Sequence, residues 1–178
     1  MAIEKEKFFE IICNVSKSKD LNEDNLLQKI KDELYEVEKK LPEEDRGEYN
    51  KFKNDLWKDH LFSIKTSEEI AEDWTLLHLA VACNSVPIVE LLLEKKVSVN
   101  TQVKDGSDDG PTPLHIAASD GHENIIKLLL DDDRVNPSLK SKGKTPREMV
   151  GDVQNRDTII KMLEHVFKLS RKELRSVL

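Results

Sequence analysis

The feature that most constrains this chain is a short phrase that returns. Thr75-Leu76-Leu77-His78-Leu79-Ala80 recurs as Thr112-Pro113-Leu114-His115-Ile116-Ala117, and more weakly as Thr145-Pro146-Arg147-Glu148-Met149-Val150. The second copy starts 37 residues after the first and the third 33 residues after the second. An apolar block follows each copy: Ile88-Val89-Glu90-Leu91-Leu92-Leu93, Ile125-Ile126-Lys127-Leu128-Leu129-Leu130 and Ile159-Ile160-Lys161-Met162-Leu163. Self-similarity at this spacing is the mark of stacked helix pairs. One such pair cannot bury both of its faces, so it needs neighbours, and the open ends need polar caps.

Each residue of the phrase has a local task. A threonine such as Thr112 N-caps a helix with its hydroxyl. Pro113 then sits at the first helical position, where its missing N–H removes nothing. Leu114, Ala117 and Ala118 make a small apolar face that lets helices approach closely. Gly121 suits the left-handed residue that ends a helix, and Asn84 stands at the matching place in the first copy.

These residues resemble the ankyrin repeat. Thr112 to His122 is close to that family's signature, and the 33-residue offset is its period. The resemblance covers residues 72–167 and implies an all-α ankyrin-repeat solenoid of helix-turn-helix units with short hairpin fingers. It implies structural roles for Thr75, His78, Thr112, Pro113, Leu114, His115, Gly121, Thr145 and Pro146, with the two histidines as hydrogen-bonding groups. Leu76 replaces Pro in the first copy. Arg147 and Glu148 replace Leu and His in the third, as expected of a polar terminal cap. The expected organisation is an N-terminal helical bundle at 1–66, repeats at 67–169 (72–104, 105–140 and a degenerate cap at 141–169) and a tail helix at 170–178.

The N-terminal third carries helical spacing without a motif. Phe8, Ile11, Ile12 and Val15 mark an amphipathic helix over 3–16. Leu27, Ile30, Leu34, Val37 and Leu41 mark a second over 22–41, at heptad steps. Two heptads are too few for a coiled coil, so the seam reads either as one face of an intramolecular bundle or as a dimer contact. A third helix is expected over 43–62, with Tyr49, Phe52, Leu56 and His60 inward. Two good repeats and a cap make a short stack, so these helices are expected to dock on the Trp74 end and bury that ring.

Composition narrows the function. A net charge of −7 and a pI near 5.3 argue against nucleic acid as the main partner, since phosphate binding needs clustered Lys and Arg. Cys13 and Cys83 lie on separate apolar faces, so a reducing, cytoplasmic compartment is expected. The acidic N-terminus does not read as a secretory signal, and no stretch reaches membrane-span length. Neither catalytic residues nor a cofactor are expected. His122-Glu123 lacks the second His of a zinc-protease motif. Richness in Lys, Glu, Asn and Ile is similar to short ankyrin-repeat proteins of intracellular bacteria, which act as effectors in host cells.

The longer first offset comes from an insert, Lys104-Asp105-Gly106-Ser107-Asp108-Asp109-Gly110. It reads equally as a solvent loop or as a binding finger, and Asp-Gly pairs suit hairpin turns. Asp105, Ser107 and Asp109 alternate oxygen ligands, but the Gly and Glu that a calcium loop requires are missing, so no metal is expected. The resemblance implies binding of another protein through finger and inner-helix positions. Those are Lys104, Asp105, Ser107, Asp108, Asp109, Ala82, Cys83, Ser119, Asp120, Ser141, Lys142 and Lys144, with Asp152 and Val153 on the cap. Their charge points to a partner with a basic patch. A homodimer through the N-terminal seam is the less favoured alternative.

Overall fold

The computed structural model describes residues 3–22, 25–40, 43, 62–65, 70–104 and 109–165. The chain runs β1 (Ile3–Glu4), α1 (Lys5–Ser16), α2 (Leu26–Glu38), β2 (Phe62–Lys65) and β3 (Ile70–Trp74). It continues through α3 (Leu76–Ala82), α4 (Val86–Glu94), α5 (Pro113–Asp120), α6 (Glu123–Leu130) and a 3-10 turn (Pro146–Met149). Residues 156–165 then form a last helix, α7.

The repeats fold as their caps dictate. Thr75 and Thr112 have extended backbones, and their hydroxyls accept from the N–H of His78 and His115. Gly121 ends α5 at φ 77, and Asn84 follows α3 at φ 52, so Asn supplies the left-handed residue that Gly supplies next door. At Gly151 the requirement is space: a Cβ there would stand 2.3 Å from the carbonyl oxygen of Ser119. That close approach seats the third unit on α5.

The first helices of each unit form an inner layer. In it α3 packs on α5 and α5 on the 3-10 turn, while α4 packs on α6 in the outer layer. Leu77, Leu79, Ala80, Leu114, Ala117 and Ala118 are buried between inner helices, and Ile88, Leu92, Ile125, Ile126 and Leu129 fill the space behind them. Each buried Leu or Ile contributes about 1.5–3 kcal/mol of burial, and each Ala less, against the entropy of ordering it. The third unit has only a 3-10 turn where the others have an inner α-helix. Ile159 and Leu163 of α7 still complete its core.

The N-terminal helices share this core. Ile11, Ile12 and Val15 of α1 and Leu26 and Ile30 of α2 belong to the same buried cluster as the repeats, and α1 packs directly on α3. Trp74 is buried, with its ring tilted over His78 at 5.8 Å. The apolar core therefore runs across the expected boundary at residue 66.

Three element assignments need correction. Residues 3–4 form a strand, so the first helix begins at Lys5. The second helix starts at Leu26, because Asn22 and Asn25 exchange reciprocal side-chain-to-backbone hydrogen bonds of 2.9 and 3.0 Å just before it. Phe62 opens a strand rather than closing a helix. The strand β2 pairs parallel with β1 (Ile3 opposite Ile64) and antiparallel with β3 (Phe62 opposite Trp74, Lys65 opposite Ile70). The helix expected over 43–62, with Tyr49, Phe52, Leu56 and His60, and the tail at 170–178 lie outside the described residues.

Candidate functional site

Two buried histidines hold the fingers to the inner helices. His78 Nε2 lies 3.0 Å from the carbonyl oxygen of Thr101, and His115 Nε2 lies 3.1 Å from that of Lys144. A carbonyl only accepts, so Nε2 carries the proton in both rings. The bare Nδ1 then accepts from the backbone N–H of the capping threonine, at 3.1 Å from Thr75 and 3.2 Å from Thr112. The threonine hydroxyl, 2.8 Å away in each case, donates to the same nitrogen. Each histidine thus joins the cap of one unit to the finger of the next. Burial pushes the His78 pKa down to about 4 from 6.5, outweighing the bond to Thr101 that raises it. Burial lowers that of His115 as well, against its bond to Lys144.

In the third unit Glu148 takes over half of this task. Its carboxylate accepts from the Thr145 N–H at 2.8 Å and from the Thr145 hydroxyl at 2.9 Å. These bonds hold its pKa below the ordinary glutamate value. A carboxylate has no proton for a further finger, so this side chain completes the cap without the outward clasp.

The fingers are joined edge to edge. The Val103 N–H donates to the Pro111 carbonyl across the base of the first finger at 3.1 Å. Ser141 and Lys144 pair in the second, where Lys142 (φ 49) and Gly143 (φ 77) give the two positive-φ positions of a tight hairpin turn. The Lys142 N–H donates to the Asp109 carbonyl at 3.1 Å. The Gln102 side-chain amide donates to the carbonyls of Gly110 and Lys140, both at 2.9 Å.

Behind the fingers, Asn100 bonds the next unit twice, donating to the Arg134 carbonyl at 2.7 Å and accepting from the Asn136 N–H at 2.9 Å. Arg134 grips Asp132 through two nitrogens, at 2.9 and 2.5 Å, and donates to the Val97 carbonyl at 2.9 Å and to that of Leu93 at 3.4 Å. It therefore neutralises one aspartate of the 131–133 run while capping the end of α4. Asp131 and Asp133 remain exposed.

The expected contact positions differ in exposure. Lys104 and Asp109 are exposed on the first finger, and Lys142 and Lys144 on the second. Asp120 is exposed at the end of α5, 3.9 Å from His122, and Ser119 is half-buried beside it. Ala82 and Cys83, half-buried, end α3, while Asp152 and Val153 occupy the corresponding place in the third unit. Asp105, Ser107 and Asp108 lie outside the described residues. Ser141 must be withdrawn: it is 1% exposed, turned inward by the pairing with Lys144. The strands β2 and β3 were not among the expected elements, although the alternation of Phe62 and Ile64, then Ile70 and Trp74, is a strand signal. No grouping of His, Cys, Asp and Glu suited to a metal ion occurs among the described residues.

A family model describing ankyrin repeats in three copies matches residues 77–167. The chain belongs to the ankyrin-repeat family. Its relatives include Rabankyrin-5 of Mus musculus, 36% identical over 80 residues, which are 44% of this chain and 6% of that protein. Alpha-latrotoxin-Lhe1a of Latrodectus hesperus is 32% identical over 89 residues, 48% of this chain and 6% of the toxin. The NAD-dependent deacetylase sir2B of Dictyostelium discoideum is 36% identical over 63 residues, 35% of this chain and 7% of the enzyme. The similarity thus spans less than a tenth of each relative's length. What is shared is the ankyrin repeat, in general a protein–protein interaction module and typically non-enzymatic. No described helix is long and apolar enough to cross a membrane.

Proposed function

We propose that this ankyrin-repeat chain is a recognition module whose fingers and inner-helix ends bind a segment of another protein. The observation that carries this reading is the clasp network. Two histidines, Gln102 and the Lys142 N–H hold the fingers in fixed relation to α3 and α5, so the face is set before a partner arrives. A preorganised face loses less entropy on binding. Asp109 and Asp120 favour Lys or Arg on the partner, and the chain works in a reducing, cytoplasmic setting without a cofactor. The described members of the N-terminal seam are occupied within the chain, since Ile30 is fully buried in the core and Val37 packs against it. That favours the bundle over the dimer.

The test is a peptide library panned on the full chain, with association rates then measured for the selected peptides. Charge reversal at Asp109 and Asp120 is expected to slow association and flatten its salt dependence. Unchanged rates and an unchanged salt slope would refute the assignment of this face.

A further inference from the structure

The second finger gathers cations in a chain whose net charge is −7. From residue 134 to residue 147 the sequence holds Arg134, Lys140, Lys142, Lys144 and Arg147 and no carboxylate. The two arginines are engaged inside the chain, Arg134 by Asp132 and Arg147 by Glu164, each at 2.5 Å. The lysines stand at alternate positions of the hairpin closed by the Ser141–Lys144 pair, and all of them are exposed.

The backbone of each lysine is pinned to a neighbouring element. The Lys140 carbonyl accepts from the Gln102 amide at 2.9 Å, and the Lys142 N–H donates to the Asp109 carbonyl at 3.1 Å. The Lys144 carbonyl accepts from His115 Nε2 at 3.1 Å. The side chains therefore leave a fixed base, and only their own rotamers remain to be ordered when a ligand arrives. The carboxylates beside the finger do not balance it. Exposed Asp109 adjoins the hairpin through the bond to Lys142, and Glu148 is turned back on its own cap, where it accepts from the Thr145 N–H and hydroxyl. Among the described residues the lysines remain in excess.

We propose that the second finger is the docking place of an acidic segment of the partner protein, whose Asp or Glu side chains pair with Lys140, Lys142 and Lys144. This rests on the recognition reading above and adds to it: the partner that offers a cation to Asp109 and Asp120 also offers carboxylates to this hairpin. A protein segment fits better than a nucleic acid, because the cations are confined to one short finger while the chain as a whole is acidic and repels a long polyanion. The finger then discriminates as well as binds, since a uniformly basic segment meets like charge here.

The test uses the full chain and two labelled probes of equal charge, a glutamate-rich peptide and a thymidine oligonucleotide. Binding is read by fluorescence anisotropy at low ionic strength, where surface charges are least screened. The peptide is expected to bind more tightly than the oligonucleotide. The variant Lys140→Gln/Lys142→Gln/Lys144→Gln should weaken the peptide about tenfold, as a few exposed pairs allow. Lys17→Gln/Lys40→Gln/Lys161→Gln, the same change in net charge at exposed sites outside the finger, should leave its affinity unchanged. Thermal melts verify that both variants fold.

Equal loss in the two variants would show a response to net charge alone and overturns the proposal. Absence of peptide binding overturns it too, as does an oligonucleotide held more tightly than the peptide through the same lysines. If the library-selected peptides still depend on Asp109 and Asp120 in those cases, the recognition reading stands without the acidic segment. If binding depends neither on these aspartates nor on the finger lysines, both fail.

Discussion

Acid should loosen the stack well before its carboxylates titrate, and His78 sets the size of the effect. The ring is fully buried, its Nδ1 accepts from Thr75 and its Nε2 donates to Thr101. Protonating Nδ1 would set an N–H against the Thr75 N–H, so the folded chain holds this histidine neutral. Its folded pKa of about 4 lies below the unfolded 6.5. The stabilisation is therefore fully present above pH 6.5 and is lost as pH falls toward 4. At pH 5 the unfolded chain holds nearly a full proton at this site that the folded chain does not. Linkage makes that worth about 2 kcal/mol between pH 7 and pH 5, or about 1 M in the urea midpoint. The assay is urea unfolding at both pH values for the native chain and for His78→Gln. The glutamine amide offers an acceptor and a donor but does not titrate. The variant should be less stable at pH 7 yet show about 2 kcal/mol less dependence on pH across this range. The other histidines contribute equally to both proteins and cancel. If the native chain and the variant lose the same stability on acidification, the neutral clasp is wrong.

Other expectations rest on single contacts and can be read from melting curves. Trp74→Ala removes a buried ring at the junction with His78 and should cost about 3–5 kcal/mol; an unchanged curve would contradict the docking of the N-terminal part. Gly121→Ala places a side chain at φ 77, with its Cβ 3.1 Å from Val153, and should cost about 1–2 kcal/mol or more. The comparable Asn84→Gly should leave stability nearly unchanged. Arg134→Met loses the grip on Asp132 and the capping of α4, and should cost about 1–3 kcal/mol. Deleting residues 1–65 strips Ile11, Ile12 and Val15 from the face of the first repeat, and should give an aggregating or non-cooperative product by light scattering and circular dichroism.

What the sequence made legible was local chemistry. Thr75, Thr112 and Thr145 announce helix starts because a cap needs only a hydroxyl and a nearby N–H. Gly121 and Asn84 announce a stop because few residues accept positive φ. Even the polarity of the third unit is readable, since Glu148 can imitate one side of His115 and not the other. What escaped was non-local. Gln102 and Asn100 look like ordinary polar surface residues until folding brings Lys140 and Asn136 beside them. The strands at 62–65 and 70–74 left only the short alternation of Phe62 with Ile64 and of Ile70 with Trp74, and runs that short become strands only when a partner pairs with them. Ser141 was misplaced because a two-residue turn at Lys142-Gly143 fixes which way its neighbours face, and that turn has no Asn-Gly or Asp-Gly signature.

The central claim is that the finger side of the stack, and not its outer layer, meets a partner. Photo-crosslinking tests it most directly, with a light-activated residue placed singly at Ser119 or Lys144 on the finger side or at Lys127 on the exposed face of α6, and adducts identified by mass spectrometry after illumination in a lysate. A discrete adduct is expected from Ser119, the same partner from Lys144, and none from Lys127. Equal adducts from Lys127, or none from Ser119 and Lys144 with a partner demonstrably bound, would contradict it.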